Sequence, residues 1–192
     1  MKIYTRRGDR GQTDLFGGAR VSKANPRVLA YGALDAANSA IGFAASHESV
    51  PKEILSALHV IMSDVFDLGA ELATAATPNA QKKLSTMLDS AVGAERILEL
   101  ERLIDKAESE LTPLKTFVLP TGGELSCRFH LARTAVRRAE QEVVALIDEE
   151  IEVRDEVISY LNRLSDLMFV WGRLSNHLEG VSDILWLSKK NR

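Results

Sequence analysis

The sequence predicts an all-α fold: a five-helix bundle preceded by an irregular, glycine-rich N-terminal segment. Three observations predict it. Apolar residues recur at intervals of three and four in five separate stretches. No stretch shows the strict apolar–polar alternation of a half-buried strand. Prolines and glycines fall between the periodic stretches, where helices start and stop.

The elements follow in order. Thr5 to Lys23 is polar and carries Gly8, Gly11, Gly17 and Gly18, with no helical period. After Asn25-Pro26 a first helix is expected from Arg27 to about His47, with Ala30, Leu34, Ala37, Ile41 and Ala44 on one face. Pro51 opens a second, through Ile54, Leu58, Ile61, Val65, Leu68 and Leu72. The polar stretch from Thr74 to Ser90 reads as a loop, with room for a helical turn at Leu84 to Leu88. The third helix carries Ile97, Leu100, Ile104, Ala107 and Leu111 and stops before Pro113.

An extended piece, Thr116 to Pro120, then meets Gly122-Gly123. A fourth helix from about Leu125 to Glu149 buries Leu125, Phe129, Ala132, Val136, Ala139, Val143 and Leu146. The fifth, from about Arg154 to Leu178, buries Val157, Leu161, Leu164, Met168, Trp171, Leu174 and Leu178. Trp186 reads as a C-terminal anchor, ahead of the basic tail Lys189-Lys190-Asn191-Arg192. No repeat or low-complexity segment interrupts this order. The 192 residues therefore read as one domain: residues 1–25 as the N-terminal segment, 26–180 as the bundle and 181–192 as the tail.

Composition narrows the function classes. A net charge of −3 gives no general attraction to nucleic acid or to anionic lipid, so a basic site has to be local. The one cysteine, Cys127, excludes an internal disulfide and a multi-cysteine zinc site. It reads as a small core residue. A reducing, cytoplasmic compartment is expected, because the start lacks a signal-peptide pattern and no window has eighteen uninterrupted apolar residues.

Two features carry candidate chemistry. In Thr5-Arg6-Arg7-Gly8-Asp9-Arg10-Gly11 and on through Thr13 and Asp14, glycines allow close backbone approach to a phosphate. The hydroxyls of Thr5 and Thr13 and the charges of Arg6, Arg7, Arg10 and Lys23 add donors. A flexible basic arm has the same composition, and a Walker A loop is excluded because no glycine precedes Lys and then Ser or Thr. On the fourth helix Arg133, Arg137, Glu140 and Gln141 share a stripe. Matching stripes fall at Tyr31, Asp35, Asn38 and Gly42, and at Asn162, Asp166, Phe169 and Arg173. Three such stripes fit a shared site or a subunit interface. Asp64, Asp67 and Glu71 line one side of the second helix, as a metal site or, more simply, as a solvated or ion-paired face. No Glu lies three residues before any of the four histidines, which excludes a ferritin-like di-iron centre.

Together these pieces resemble the PduO-type family of ATP:cob(I)alamin (corrinoid) adenosyltransferases over almost the whole chain. The resemblance rests on Thr5 to Gly11, Arg20 to Lys23, Ala30-Tyr31-Gly32 with Asp35 and Asn38, and Phe117 to Pro120 with Gly122. His130 with Arg133, the run Arg137-Arg138-Ala139-Glu140, and Tyr160 to Asp166 complete it. It implies a ferritin-like five-helix bundle assembled as a homotrimer, with sites between subunits. It also implies that Thr5, Arg6, Arg7, Gly8, Thr13, Asp14, Lys23, Arg137, Arg138, Ala139, Glu140, Gln141 and Asn162 bind ATP with its Mg²⁺, the metal being held mainly through the phosphates. Lys23 and Arg137 would stabilise charge on the leaving triphosphate, Asp35 and Arg133 would pair across the interface, and Phe117 would lie under the corrin ring. Cobalamin or another corrinoid is the implied second substrate. A reductase and an adenosylcobalamin-dependent acceptor enzyme are implied partners, with no nucleic acid and no membrane. The sequence departs from the family pattern in two places: Ala36-Ala37 where Glu-Leu is usual, and Gln141 where an arginine is usual.

The implied reaction is attack by Co(I) on C5′ of ATP, with triphosphate leaving. No proton moves at the reacting carbon, which agrees with the lack of a Ser/His or His/Asp constellation. A nucleotide-dependent sensor or a carrier that delivers adenosylcobalamin would use the same residues. A ligand-free structural bundle would leave the cations and glycines of residues 5–18 without a role.

Overall fold

The computed structural model describes residues 2–18, 20–88 and 92–187. Among these residues the chain forms six helices and a two-stranded antiparallel sheet. The helices are α1 (Pro26–Ala45), α2 (Lys52–Ala73), α3 (Pro78–Met87), α4 (Ala94–Glu108), α5 (Glu124–Asp148) and α6 (Asp155–Leu178). The strands are β1 (Gln12–Asp14) and β2 (Arg20–Ser22), with Thr13 opposite Val21.

Two expectations are corrected here. The stretch read as a loop contains α3, which starts as helices commonly do: Thr77 caps it by accepting from the Ala80 N–H, and Pro78 sits in the first turn. Only Ala80 and Leu84 of α3 are buried, so its short apolar repeat gave little periodic signal. The N-terminal segment is likewise not wholly irregular. Its strands are three residues each, too short for alternation to show against a polar background.

The long helices form where the periodicity places them. Asn25 caps α1 by accepting from the Arg27 N–H, with Pro26 opening the helix. α1 packs on α2 and α5, α5 packs on α6, and α6 packs on α4. The expected apolar faces of α1 and α5 are buried throughout. Trp171 of α6 lies in the core with its ring 5.8 Å from that of Phe129 of α5. Leu178, expected in the core, is exposed at the end of α6. Cys127 is also exposed, one turn into α5 and facing away from the apolar stripe. By length and composition alone α1 is apolar enough to cross a membrane. A third of that stretch is buried, on the face that packs between α2 and α5.

Asp64 and Glu71 of α2 join it to other parts of the bundle. Asp64 accepts from Arg96 Nε at 3.0 Å and Nη2 at 2.7 Å on α4, and from the Tyr160 hydroxyl at 2.7 Å on α6. Burial first, and then Asp64, hold the Tyr160 phenol well above its ordinary pKa, so it remains a donor. Glu71 pairs with Arg154 at 2.7 Å. These contacts match the ion-paired reading of this face, and no cluster of metal-ligating side chains occurs among the described residues.

Candidate active site

Around β1 and β2 the N-terminal segment is folded on itself. Arg6 adopts a left-handed backbone at φ 60°, uncommon for a residue with a Cβ. The Gly11 N–H donates to the Gly8 carbonyl at 3.1 Å, and the Lys23 N–H to the Gly11 carbonyl at 2.8 Å. The Lys23 ammonium thereby lies over Gly8, where a Cβ would sit 3.1 Å from Nζ. Asp14 pairs with Arg7 at 2.8 Å and with Arg20 at 3.3 Å, and Arg20 also donates to the Arg7 carbonyl. Arg7 is therefore oriented by Asp14, and Thr5 Oγ1 accepts from the Arg7 N–H at 3.4 Å. Apart from the half-buried Gly8 and Thr13, these side chains are exposed.

The tip of this hairpin is docked. The Phe16 N–H donates to the Ala73 carbonyl at 2.9 Å, and the Ala75 N–H donates to the Phe16 carbonyl at 3.1 Å. Gly17 has φ +66°, and a Cβ there would lie 2.7 Å from that of Ala80. A Cβ on Gly18 would collide with Ala75. These two glycines, grouped in the sequence with a phosphate cradle, instead allow the turn to press on the start of α3.

The second cluster lies on α5 and α6. Asn162 Nδ2 donates to Glu140 Oε1 at 3.0 Å, and Asn162 Oδ1 accepts from Arg163 Nη1 at 2.9 Å. Arg163 in turn donates to Glu101 Oε1 on α4 at 2.8 Å. Arginine only donates and an ionised carboxylate only accepts, so both neighbours require the same orientation of the Asn162 amide. Beside Glu140 a depression of about 310 Å³ is lined by Arg137, Glu140, Gln141, Val144, Ala145 and Asp148. Arg137 is exposed, Arg138 pairs with Glu142, and Ala139 points into the core.

Arg133 is half-buried and its Nε has no acceptor among the described residues. Burial and then neighbouring Arg137 lower its pKa. Asp35 is exposed on α1, and no cation pairs with it among the described residues. The three polar stripes therefore divide. Asn38 turns inward and donates to the Met62 carbonyl at 3.1 Å, and Arg173 is buried beside Asp183. Arg133, Arg137, Glu140, Gln141 and Asn162 remain together along α5 and α6, while Thr5 to Lys23 forms a separate cluster near the end of α2.

Phe117 stands apart from both, 79% exposed. Its backbone is paired with the segment that follows α6. The Leu119 N–H donates to the Ile184 carbonyl and the Trp186 N–H to the Phe117 carbonyl, each at 2.8 Å, around a Val118–Leu185 bridge. The Trp186 ring meets that of Phe117 edge-on at 6.4 Å. Trp186 is thus an anchor as expected, and its partner is Phe117. This backbone pairing fixes the chain at Phe117. A bridge between two distant short segments has no periodic signature, so only the aromatic at each end was legible. The tail residues from 188 onward lie outside the described residues.

A family model described as Cobalamin adenosyltransferase matches residues 3–175. The chain belongs to the cobalamin adenosyltransferase family. Among members of this family, the corrinoid adenosyltransferase of Bacillus subtilis (strain 168) is 40% identical over 187 residues, covering 96% of this chain and 91% of that protein. A corrinoid adenosyltransferase of Citrobacter freundii is 40% identical over 175 residues, covering 90% and 94%. The fold also superposes on a variant PduO-type ATP:corrinoid adenosyltransferase from Lactobacillus reuteri complexed with cobalamin and ATP. That superposition has a TM-score of 0.88 at 34% identity and covers 97% of this chain and all of that one. Among its described residues this adenosyltransferase has six helices, including the short α3, and its N-terminal segment carries a hairpin docked at its tip.

Proposed function

We propose that this chain transfers the 5′-deoxyadenosyl group of ATP to the Co(I) centre of a corrinoid and releases triphosphate. The observation that carries the reading is the Glu140–Asn162 pair beside Arg137, set in a chain whose relatives are corrinoid adenosyltransferases. The cobalt electron pair forms the bond to C5′ while the C5′–O bond breaks, and its electrons leave with the triphosphate. The demand on the protein is charge stabilisation at the leaving group and in-line placement of the nucleoside.

Lys23 over Gly8, with Arg6, Arg7, Thr5 and Thr13, forms one half of a polyphosphate site, and Asp14 orients Arg7 within it. Arg137 and Arg138, with Ala139 and Gln141 beside them, form the other half. Each well-placed donor contributes about 3 kcal/mol in a dry site. The free N–H of Asn162 and the second oxygen of Glu140 suit a nucleoside hydroxyl, which both donates and accepts. In one chain these halves lie on separate elements, which supports a site closed by a neighbouring subunit in a homotrimer. The unpaired Arg133 Nε and the exposed Asp35 support a pair across that boundary. The cation-rich N-terminal cluster fits a polyphosphate better than a bare metal ion, so Mg²⁺ arrives with ATP. Phe117, exposed and backed by Trp186, suits the lower face of the corrin ring, where an apolar side chain excludes a water ligand.

Residues 1–192 act as one such domain, in the cytoplasm, where a reducing environment suits the exposed Cys127. A reductase supplies the electron and an adenosylcobalamin-dependent enzyme takes the product. The test mixes the protein with Mg·ATP and chemically reduced cobalamin. Adenosylcobalamin and triphosphate should form in equal amounts over many turnovers; a single turnover that stalls would point to a carrier, and no product would sink the proposal.

A further inference from the structure

A cluster that adenosyl transfer leaves unused fastens the segment backing Phe117. Arg173, near the end of α6, is only 6% exposed. Its Nε donates to Asp183 Oδ2 and its Nη2 to the Thr112 carbonyl, each at 2.8 Å. Asn176, 1% exposed, donates to Asp183 Oδ1 at 3.2 Å and to the Thr121 carbonyl at 3.1 Å. Its Oδ1 accepts from the Gly123 N–H at 3.0 Å. Gly122 has φ +137°, and a side chain there would collide with the Asn176 amide. Both oxygens of Asp183 are therefore held, and Arg173 and Asn176 also grip the chain before and after Phe117.

The next residue, Ile184, begins the pairing with Leu119. A lone two-segment bridge is marginal in water. Phe117 is mostly exposed, so ring packing alone cannot set its direction. The partly buried carboxylate of Asp183 ties the 184–186 side of this bridge to Arg173 and Asn176 at the end of α6.

We propose that Asp183 is a positioning residue for Phe117: clamped by Arg173 and Asn176, it locks residues 183–186 against 117–119 and sets how the Phe117 and Trp186 rings meet the corrinoid. This rests on the reading of Phe117 as the lower-face residue. A merely structural tie would lower stability and leave substrate discrimination alone.

The test uses the full chain with D183N, which keeps the volume and removes the charge, and D183E as the conservative control. Amide hydrogen exchange is followed at Leu119 and Trp186, and KM is measured for corrinoid and for ATP in turnover started from Co(II). In D183N, exchange at both amides should rise about tenfold or more. The corrinoid KM should rise about fivefold, with the ATP KM within about twofold of its original value. D183E should restore most of both. Unchanged exchange, or an equal rise in the two KM values, would overturn the proposal. If D183N does not fold, R173K is read in the same way, since lysine keeps the charge but not the fork that reaches Asp183 and Thr112 together. F117A separates the premise. If it matches the wild type in corrinoid KM and turnover while D183N still loosens the two amides, the lower-face reading has failed and the proposal falls with it.

Discussion

Asn38 Oδ1, Ser126 Oγ, His130 Nδ1 and Arg133 Nε are each buried without a partner within the described residues. Such atoms are costly, about 1–3 kcal/mol each, unless something outside the chain satisfies them. His130 is the most informative. Its ring packs on Gly172 of α6, 6.0 Å from the Phe169 ring. Burial first, and then Arg133, hold its pKa below the ordinary 6.5, with Asp183 pulling the other way. The unfolded imidazole therefore takes up a proton at a higher pH than the folded one. The stability this contributes is present in full above about pH 6.5 and is lost as pH falls below it. Urea midpoints should drop from about pH 7.5 to about pH 5.5, and His130→Gln should flatten that slope; an equal slope in the variant would place the titration elsewhere. Phe117→Ala should leave the urea midpoint unchanged, because the side chain is exposed, and should abolish turnover started from Co(II) while sparing turnover started from Co(I).

Among the elements, the tie between α2, α4 and α6 is the one whose cost can be stated. Asp64→Ala strands Arg96 and the Tyr160 hydroxyl together, and calorimetry should show a loss of about 3 kcal/mol, moderated because Arg96 is partly exposed. Tyr160→Phe removes one donor while Arg96 remains, and should cost about 1 kcal/mol. The hairpin offers a contrasting case. Gly17→Ala meets both a positive φ and the Ala80 side chain, so the hairpin tip should undock while the bundle's melting temperature stays near the wild-type value. Limited proteolysis within residues 5–23 should accelerate; equal protection would mean that the tip is held by other contacts. These two cases show what the sequence could convey. α1, α5 and α6 were legible because one unbroken face of each is buried, so period and burial coincide. α3 was not, because only Ala80 and Leu84 of it are buried, nor was the hairpin, whose strands are three residues each, nor the Phe117 bridge, which backbone contacts across a long separation hold without leaving a period. At the candidate site, the α5–α6 residues were legible from helical spacing. Gly17 and Gly18 were recognised as glycines without the reason for them, which is the close approach of α3. Spacing groups Arg173 with the stripe of Asn162 and Asp166 and says nothing of Asp183, the partner beside which it is buried.

In the whole molecule, the helices pack in the order α2, α1, α5, α6, α4, so the α5 stripe is reached from one side of the bundle. If Asp35 and Arg133 join neighbouring subunits, Arg133→Ala leaves a carboxylate unpaired at each boundary, at a cost of about 3–5 kcal/mol where the pair is desolvated. Sedimentation should then show a weakened assembly, and titration calorimetry a weaker ATP affinity in the same variant. An intact assembly with wild-type ATP affinity would refute the shared-site reading. Gln141→Arg, which restores the family's usual charge beside the depression lined by Arg137 and Glu140, should tighten ATP binding without altering the assembly. The pairing of residues 117–119 with 184–186 also bears on how the protein is made. Long-range contacts of this kind form late, because a large loop has to close first. During synthesis the bundle up to α5 can gather its apolar faces while Phe117 still lacks its backing. A growing chain is therefore a partly collapsed bundle before residues 117–119 find their partners at 184–186.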